Sequence, residues 1–191
     1  MSKIETNTIA PSTGTTLTLG ESGDSVAVGS GASANGFGLA MADQWRVTAN
    51  ISANADPISS NLERIDTTGQ GTLGTGMTVS SGRFTFPSTG IYLVQFNGYG
   101  MIASGGDNVG MEIKVTTNNS SYSTVAYNYC GNQGSKSFSV SGNSLIDVTD
   151  TANVKVSFSA VSIASGSYFN GDTTGTSNNE TYFTFIKLGA T

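Results

Sequence analysis

An antiparallel, all-β sandwich is the fold class this sequence predicts, and three observations carry the prediction. Gly is abundant at 25 of 191 residues, Ser, Thr and Asn are dense throughout, and charged residues make up only 11%. That is a composition of strands and turns. No run of Glu, Lys, Ala and Leu at helical period occurs, and from Trp45 onward short apolar segments alternate with Gly, Asn, Ser and Asp clusters to the end of the chain. A length of 191 residues suits one sizeable domain with an extension.

Residues 1–36 form the extension. They hold short β-branched pieces, Ile4 to Ile9, Thr15 to Leu19 and Asp24 to Val28, punctuated by Pro11, Gly14, Gly20, Gly23 and Gly29. Aromatic residues are absent until Phe37. Without aromatic bulk this segment cannot build a core, yet it lacks the charge of a disordered tail. It reads as an anchoring arm or short shaft, with Ile4, Ile9, Leu17, Leu19, Val26 and Val28 as its anchoring side chains. Fully extended it would reach at most about 120 Å. Residues 37–191 form the head.

In the head, strands are predicted near Gln44 to Ile51, Met77 to Phe86, Gly90 to Met101, Gly110 to Thr117, Ser123 to Tyr129, Ser137 to Asp147, Ala152 to Val161 and Thr181 to Leu188. Ala53 to Leu62 is the one place where a short helix is looked for. The strand starting at Gly90 is unusual. Tyr92, Val94 and Phe96 form one face while Ile91 and Leu93 form the other, so both faces need cover. One cover is the core, and the other is most simply a second subunit. A slip of one residue would exchange the two sets, so the sequence leaves open which is which.

Phe84-Thr-Phe86-Pro87 followed by Gly90-Ile-Tyr92-Leu-Val-Gln-Phe96, the loop and strand from Ser141 to Val156 with Asp150 before alternating valines, and Thr181-Tyr-Phe-Thr-Phe-Ile-Lys-Leu188 occur in the order seen in a known superfamily. Together they resemble the C1q and tumour-necrosis-factor-like jelly-roll head over about Trp45 to Leu188. The resemblance implies a jelly-roll sandwich that assembles as a homotrimer. It makes Phe84, Phe86, Tyr92, Val94, Phe96, Tyr182, Phe183 and Phe185 residues of the trimer interface or of the core. A collagen-like stalk, which precedes many such heads, is not found before this one. Instead Ile4 to Ser30 resembles in style the short β-rich N-terminal segments of fibre and decoration proteins of marine bacteriophages.

The chemistry is sparse. There are no histidines, which removes Ser-His-Asp and Cys-His catalysis and the commonest metal ligand. Carboxylate pairs for glycoside hydrolysis could be Asp147 with Asp150, Glu63 with Asp66, or Asp107 with Glu112, but turn roles account for such residues more simply. Asp147, Asp150 and Asp172 could donate oxygens to calcium, yet no spaced ligand motif supports it. Neither a cofactor nor a metal is expected. Cys130 is the single cysteine, so no intrachain disulfide is expected, and with no basic neighbour closer than Lys136 its thiol reads as inert. Trp45 reads as core, with a sugar platform as the lesser alternative. Tyr168, Phe169, Asn170 and Asp172 stand in a long polar loop and are the candidate ligand residues, the alternative being that their rings pack over a strand edge.

A net charge of −5 with only eight scattered Lys and Arg argues against nucleic-acid binding. No segment reaches the roughly 20 apolar residues of a membrane span, and the N-terminus lacks an apolar signal region. The expectation is a non-enzymatic trimeric head fibre or capsid-decoration protein of a bacteriophage. It would be made in the host cytoplasm, bound to other virion proteins through its arm and displayed on the virion surface. The alternative is a tail fibre or receptor-binding protein carrying a module for a host surface glycan.

Overall fold

Alternation of inward apolar and outward polar residues is realised as eleven strands in the described residues of the computed structural model, which are 9–11, 13–15, 17–25, 38–65, 67–103, 108–131, 134–172 and 178–191. The chain divides into two units, Met1–Phe37 and Gly38–Thr191. In the first, Ile9, Leu17 and Leu19 are exposed, and a turn is closed by Asp24, whose N–H donates to the Glu21 carbonyl while its carboxylate accepts the Glu21 N–H at 2.8 Å. Ile4, Val26 and Val28 lie outside the described residues.

The second unit is all β. Its strands are β1 (Met41–Val47), β2 (Leu62–Arg64), β3 (Thr78–Ser80), β4 (Arg83–Thr85), β5 (Gly90–Ile102), β6 (Asn108–Thr116), β7 (Ser123–Gly131), β8 (Lys136–Val148), β9 (Lys155–Val161), β10 (Tyr168–Phe169) and β11 (Tyr182–Gly189). They form two antiparallel sheets. The larger runs β8-β5-β11-β1-β2, with β10 taking over from β11 along the far half of β5, and the smaller runs β3-β4-β9-β6-β7.

The core lies between the sheets. Tyr92, Val94 and Phe96 of β5, with Phe183 and Phe185 of β11, are fully buried and meet Phe84, Val156, Phe158, Met111 and Ile113 of the smaller sheet. Phe84 is the hub. Its ring contacts Trp45, Phe158, Phe183 and Phe185 at centroid separations of 5.1–6.2 Å, and Phe158 stacks on Phe183 at 3.9 Å. Phe86 packs on Tyr92, whose hydroxyl donates to the Ser88 carbonyl at 2.9 Å. Burying each such ring contributes about 1.5–3 kcal/mol.

The structure alters four expectations. The segment expected as one strand from Met77 to Phe86 is a hairpin, because Ser81 and Gly82 take positive φ (50° and 74°) and turn β3 into β4. The strand expected from Ala152 begins at Lys155, because Asp150 caps a turn through the Ala152 N–H at 2.7 Å. The region from Ala53 to Leu62 is not helical. Instead its backbone bridges Ala55 to Ala160 and Ile58 to Phe158, while the preceding Ile51 bridges to Phe169. Finally, Tyr168 and Phe169 form a short strand on β5 that alternation does not reveal.

Candidate functional site

Cross-strand partners share a face, so the register of the larger sheet dictates what its outward side presents. Near one end lies an apolar row, Leu145–Leu93–Ile186–Ala42, with Ile91 next to Leu93 on that face. Leu145 is 63% exposed, and Ile91, Leu93 and Ile186 are half-buried. The next row is Asn143–Gln95–Thr184–Gln44, in which the Gln44 amide donates to the Thr184 hydroxyl at 2.9 Å. Beyond it come Ser141–Asn97–Tyr182–Arg46–Glu63, then Ser139–Tyr99. The face thus grades from aliphatic to amide and hydroxyl.

At the polar end is a concavity of about 310 Å³, lined by Asn97, Tyr99, Asn128, Ser139, Ser141 and Glu180 with the backbone of Gly98 and Val140. The Tyr99 hydroxyl donates to the Ser137 hydroxyl at 3.3 Å, which draws the ring along β8. Asn128 of β7 donates its amide to the Ser141 carbonyl at 2.8 Å, tying the edges of the two sheets together. Glu180 makes no ion pair or hydrogen bond among the described residues.

The core-facing side has a polar centre of its own. Asp43 is completely buried and accepts the Met77 N–H at 2.7 Å, the Trp45 indole N–H at 3.0 Å and the Arg64 guanidinium at 3.1 Å, with the Thr72 hydroxyl at 3.3 Å. Arg64 also donates to the Met77 carbonyl and lies over the Trp45 ring at 4.9 Å. With every lone pair engaged, Asp43 fastens the segment before β3 onto β1 and has no spare capacity for chemistry. The sequence signal for it was an Asp at an inward strand position, between Met41 and Trp45.

On the outward side of the smaller sheet, Asp56 binds the Lys114 ammonium and accepts the Ser159 hydroxyl at 2.7 Å. The hydrogen bond from Lys114, followed by that from Ser159, holds its carboxyl below the usual value of 3.8. Glu112 accepts Tyr129 at 3.1 Å and Thr124 at 3.0 Å. Burial, and then the bond to Glu112, push the Tyr129 phenol up.

The residues singled out from sequence fall into place as follows. Phe84, Phe86, Tyr92, Val94, Phe96, Phe183 and Phe185 face the core, whereas Tyr182 faces outward beside Arg46 and Asn97. The face left open by the sequence is therefore resolved: Ile91 and Leu93 are the outward set. Phe169 is fully buried against Phe138 at 5.1 Å, which closes its ring to a ligand, and Tyr168 is half-buried. Asn170 and Asp172 donate backbone N–H groups to the Tyr99 and Val47 carbonyls at 2.7 and 2.9 Å. Phe169 can enter because Gly98 and Gly100 have no Cβ, and one on Gly98 would meet its ring at 2.7 Å.

Of the carboxylates, Asp147 lies outward opposite Ile91, and Asp150 is a turn residue whose pKa is lowered by the Ala152 N–H first and the Asn153 side chain second. Glu63 pairs with Arg46 at 2.7 Å. Asp66 and Asp107 lie outside the described residues. Trp45 packs edge-on against Phe84, and Cys130 is a half-buried free thiol. Among the described residues no group of three or more Cys, Asp or Glu side chains could hold a metal ion, and no helix is long and apolar enough to cross a membrane.

No family model and no curated protein matches the chain. Solved structures do. The chain is similar to Eiger TNF from S. frugiperda, with a TM-score of 0.58 and 13% identity over 78% of this chain and 93% of that one. It is similar to murine APRIL, with a TM-score of 0.57 and 11% identity over 78% and 98% of the two chains. It is also similar to the globular domain of zebrafish complement 1qA, with a TM-score of 0.50 and 14% identity over 78% and 98%. At these identities the likeness is one of fold, and the fold is the TNF- and C1q-like jelly roll.

Proposed function

From a chain with the TNF- and C1q-like jelly-roll fold, we propose a non-enzymatic structural protein of a bacteriophage virion. It is a homotrimeric head fibre or capsid-decoration protein, held on the particle by residues 1–36 with its head displayed outward. The observation that carries this reading is the apolar row Leu145–Leu93–Ile186–Ala42 on the sheet face opposite a core that is already full. An outward sheet face in contact with water alone would carry polar residues there. A head-to-tail rotation that closes after three copies covers the row in every subunit without leaving an open end. The arm supports the attachment role, since Ile9, Leu17 and Leu19 are exposed aliphatic side chains in a segment with no aromatic residue before Phe37.

Light scattering on the full chain tests the assembly: three times the chain mass is expected, and a monomer would sink the trimer. Deleting residues 1–36 should leave a soluble trimer that no longer binds particles, and a truncated chain that still decorates them would count against the anchor. A second reading, a receptor-binding protein for a host surface glycan, is favoured by one observation, the polar concavity around Tyr99.

A further inference from the structure

We propose that the concavity between Glu180 and Asn128 is a binding site for a neutral, polyhydroxylated saccharide. This rests on the second reading above and shifts it from Tyr168 and Phe169 to the outward sheet face around Tyr99. The trough runs from Glu180, just before β11, over β5 and β8 of the larger sheet to Asn128 on β7, the edge of the smaller one. The two spacings of about 4.8 Å from β11 to β8 alone make it on the order of 10 Å long, room for one or two sugar rings. Its volume of about 310 Å³ sits at the lower end of small-molecule sites.

The lining matches sugar chemistry group by group. A sugar hydroxyl both donates and accepts, and so do Ser139 and Ser141 and the amides of Asn97 and Asn128. Asn128 spends one amide hydrogen on the Ser141 carbonyl, which fixes the group and leaves its oxygen free to accept. Glu180, without a partner among the described residues, can take two neighbouring hydroxyls on its two oxygens. Tyr99 is 40% exposed, and its bond to Ser137 holds the ring in place, offering an aromatic face to the C–H side of a pyranose at little cost in entropy.

The charge selects the class. No Lys or Arg lines the trough and one carboxylate does, so a sialylated or phosphorylated glycan meets repulsion and a neutral one does not. All lining residues come from one chain, so the site does not require the trimer or the particle. It lies at least two rows, about 13 Å, from Leu93 and therefore apart from the aliphatic row.

The test is saturation-transfer NMR and calorimetry on the full chain. The probes are the methyl glycosides of glucose, galactose, mannose and N-acetylglucosamine, with sialyllactose as the acidic comparison, at up to about 10 mM. Binding of at least one neutral glycoside is expected, weakened about tenfold or more by Glu180→Gln and by Tyr99→Ala and little by Tyr168→Ala. Circular dichroism and light scattering on each variant establish that fold and mass are unchanged. Absence of binding by every neutral glycoside, preference for sialyllactose, or binding indifferent to both trough variants would overturn the site. Should that happen while the full chain still scatters as a trimer and decorates particles, the site fails and the virion reading stands.

Discussion

The carboxylate of Asp43 accepts the backbone N–H of Met77 at 2.7 Å, across 34 residues of chain and in full burial. That bond carries the end of the 65–77 segment to the smaller sheet's first strand from the larger sheet's β1. Replacing Asp43 by Ala would leave the Met77 N–H and the Trp45 indole N–H without acceptors and Arg64 without its counter-charge. A loss of about 3–5 kcal/mol is expected, read from the midpoint and slope of urea unfolding. Asp43→Asn keeps one acceptor and should lose less. Equal stability of Asp43→Ala and the parent would show that the network is dispensable.

Phe84→Ala removes the ring that touches Trp45, Phe158, Phe183 and Phe185, and a cost of about 3–5 kcal/mol is expected from the resulting void. Thermal unfolding with a matched Val79→Ala control checks it, since Val79 lies at the half-buried margin.

Gly100→Ala is predicted to be worse than its size suggests. A Cβ at this position would collide with the Tyr168 carbonyl and approach Phe138 at 3.0 Å, so the 165–172 segment has to lift from β5. Overpacking of this kind costs about 1–3 kcal/mol. Limited proteolysis should show new cleavage near Tyr168, while Gly131→Ala, which meets nothing within 4 Å, should not.

Leu145→Asp places a charge in the outward aliphatic row, directly across from Leu93. Sedimentation is expected to show dissociation toward monomers at low protein concentration, with the fold intact by circular dichroism. A variant that stays trimeric at nanomolar concentration would move the contact to another face.

Acid should weaken the head in part through Asp56. Its folded pKa is depressed, so the stability it contributes is present above the ordinary value of 3.8 and is lost as pH falls through the lower folded value. Urea midpoints from about pH 5 down to about pH 2 should fall less steeply in Asp56→Asn than in the parent. Identical slopes would show that Lys114 and Ser159 do not hold the charge in solution.

The aromatic alternation of Phe84, Tyr92, Phe96, Phe183 and Phe185 was legible because a strand repeats every two residues whatever its partners are. The hairpin at Ser81–Gly82 has a sequence mark too, a Ser-Gly pair across which the apolar positions shift from odd (Met77, Val79) to even (Phe84, Phe86), which a single strand from Met77 to Phe86 does not accommodate. Asp43 was hidden, because its partners Arg64, Thr72 and Met77 lie 21, 29 and 34 residues away, beyond any periodicity. The trough around Tyr99 is more distributed still, its polar side chains Asn97, Tyr99, Asn128, Ser139, Ser141 and Glu180 drawn from four separate stretches of the sequence. Phe169 stands beside Tyr168 in a polar stretch that suits either a ligand or packing over a strand edge; it packs, and the space that admits it is made by glycines about 70 residues earlier.

The pairing of β1 with β11, Met41 against Lys187 through Arg46 against Tyr182, joins the first strand of the head to the last. A chain emerging from the ribosome therefore has β1 waiting, with only the short β2 beside it, until the closing strand is synthesised. Closure is a late, non-local event, and folding of such a topology runs on the slow, millisecond-to-second scale. A chain stopped short of Tyr182 would expose the unpaired edges of β1 and β5 and the rings of Phe84 and Phe158. Cellular quality control would meet that species as an aggregation hazard rather than as a smaller folded head.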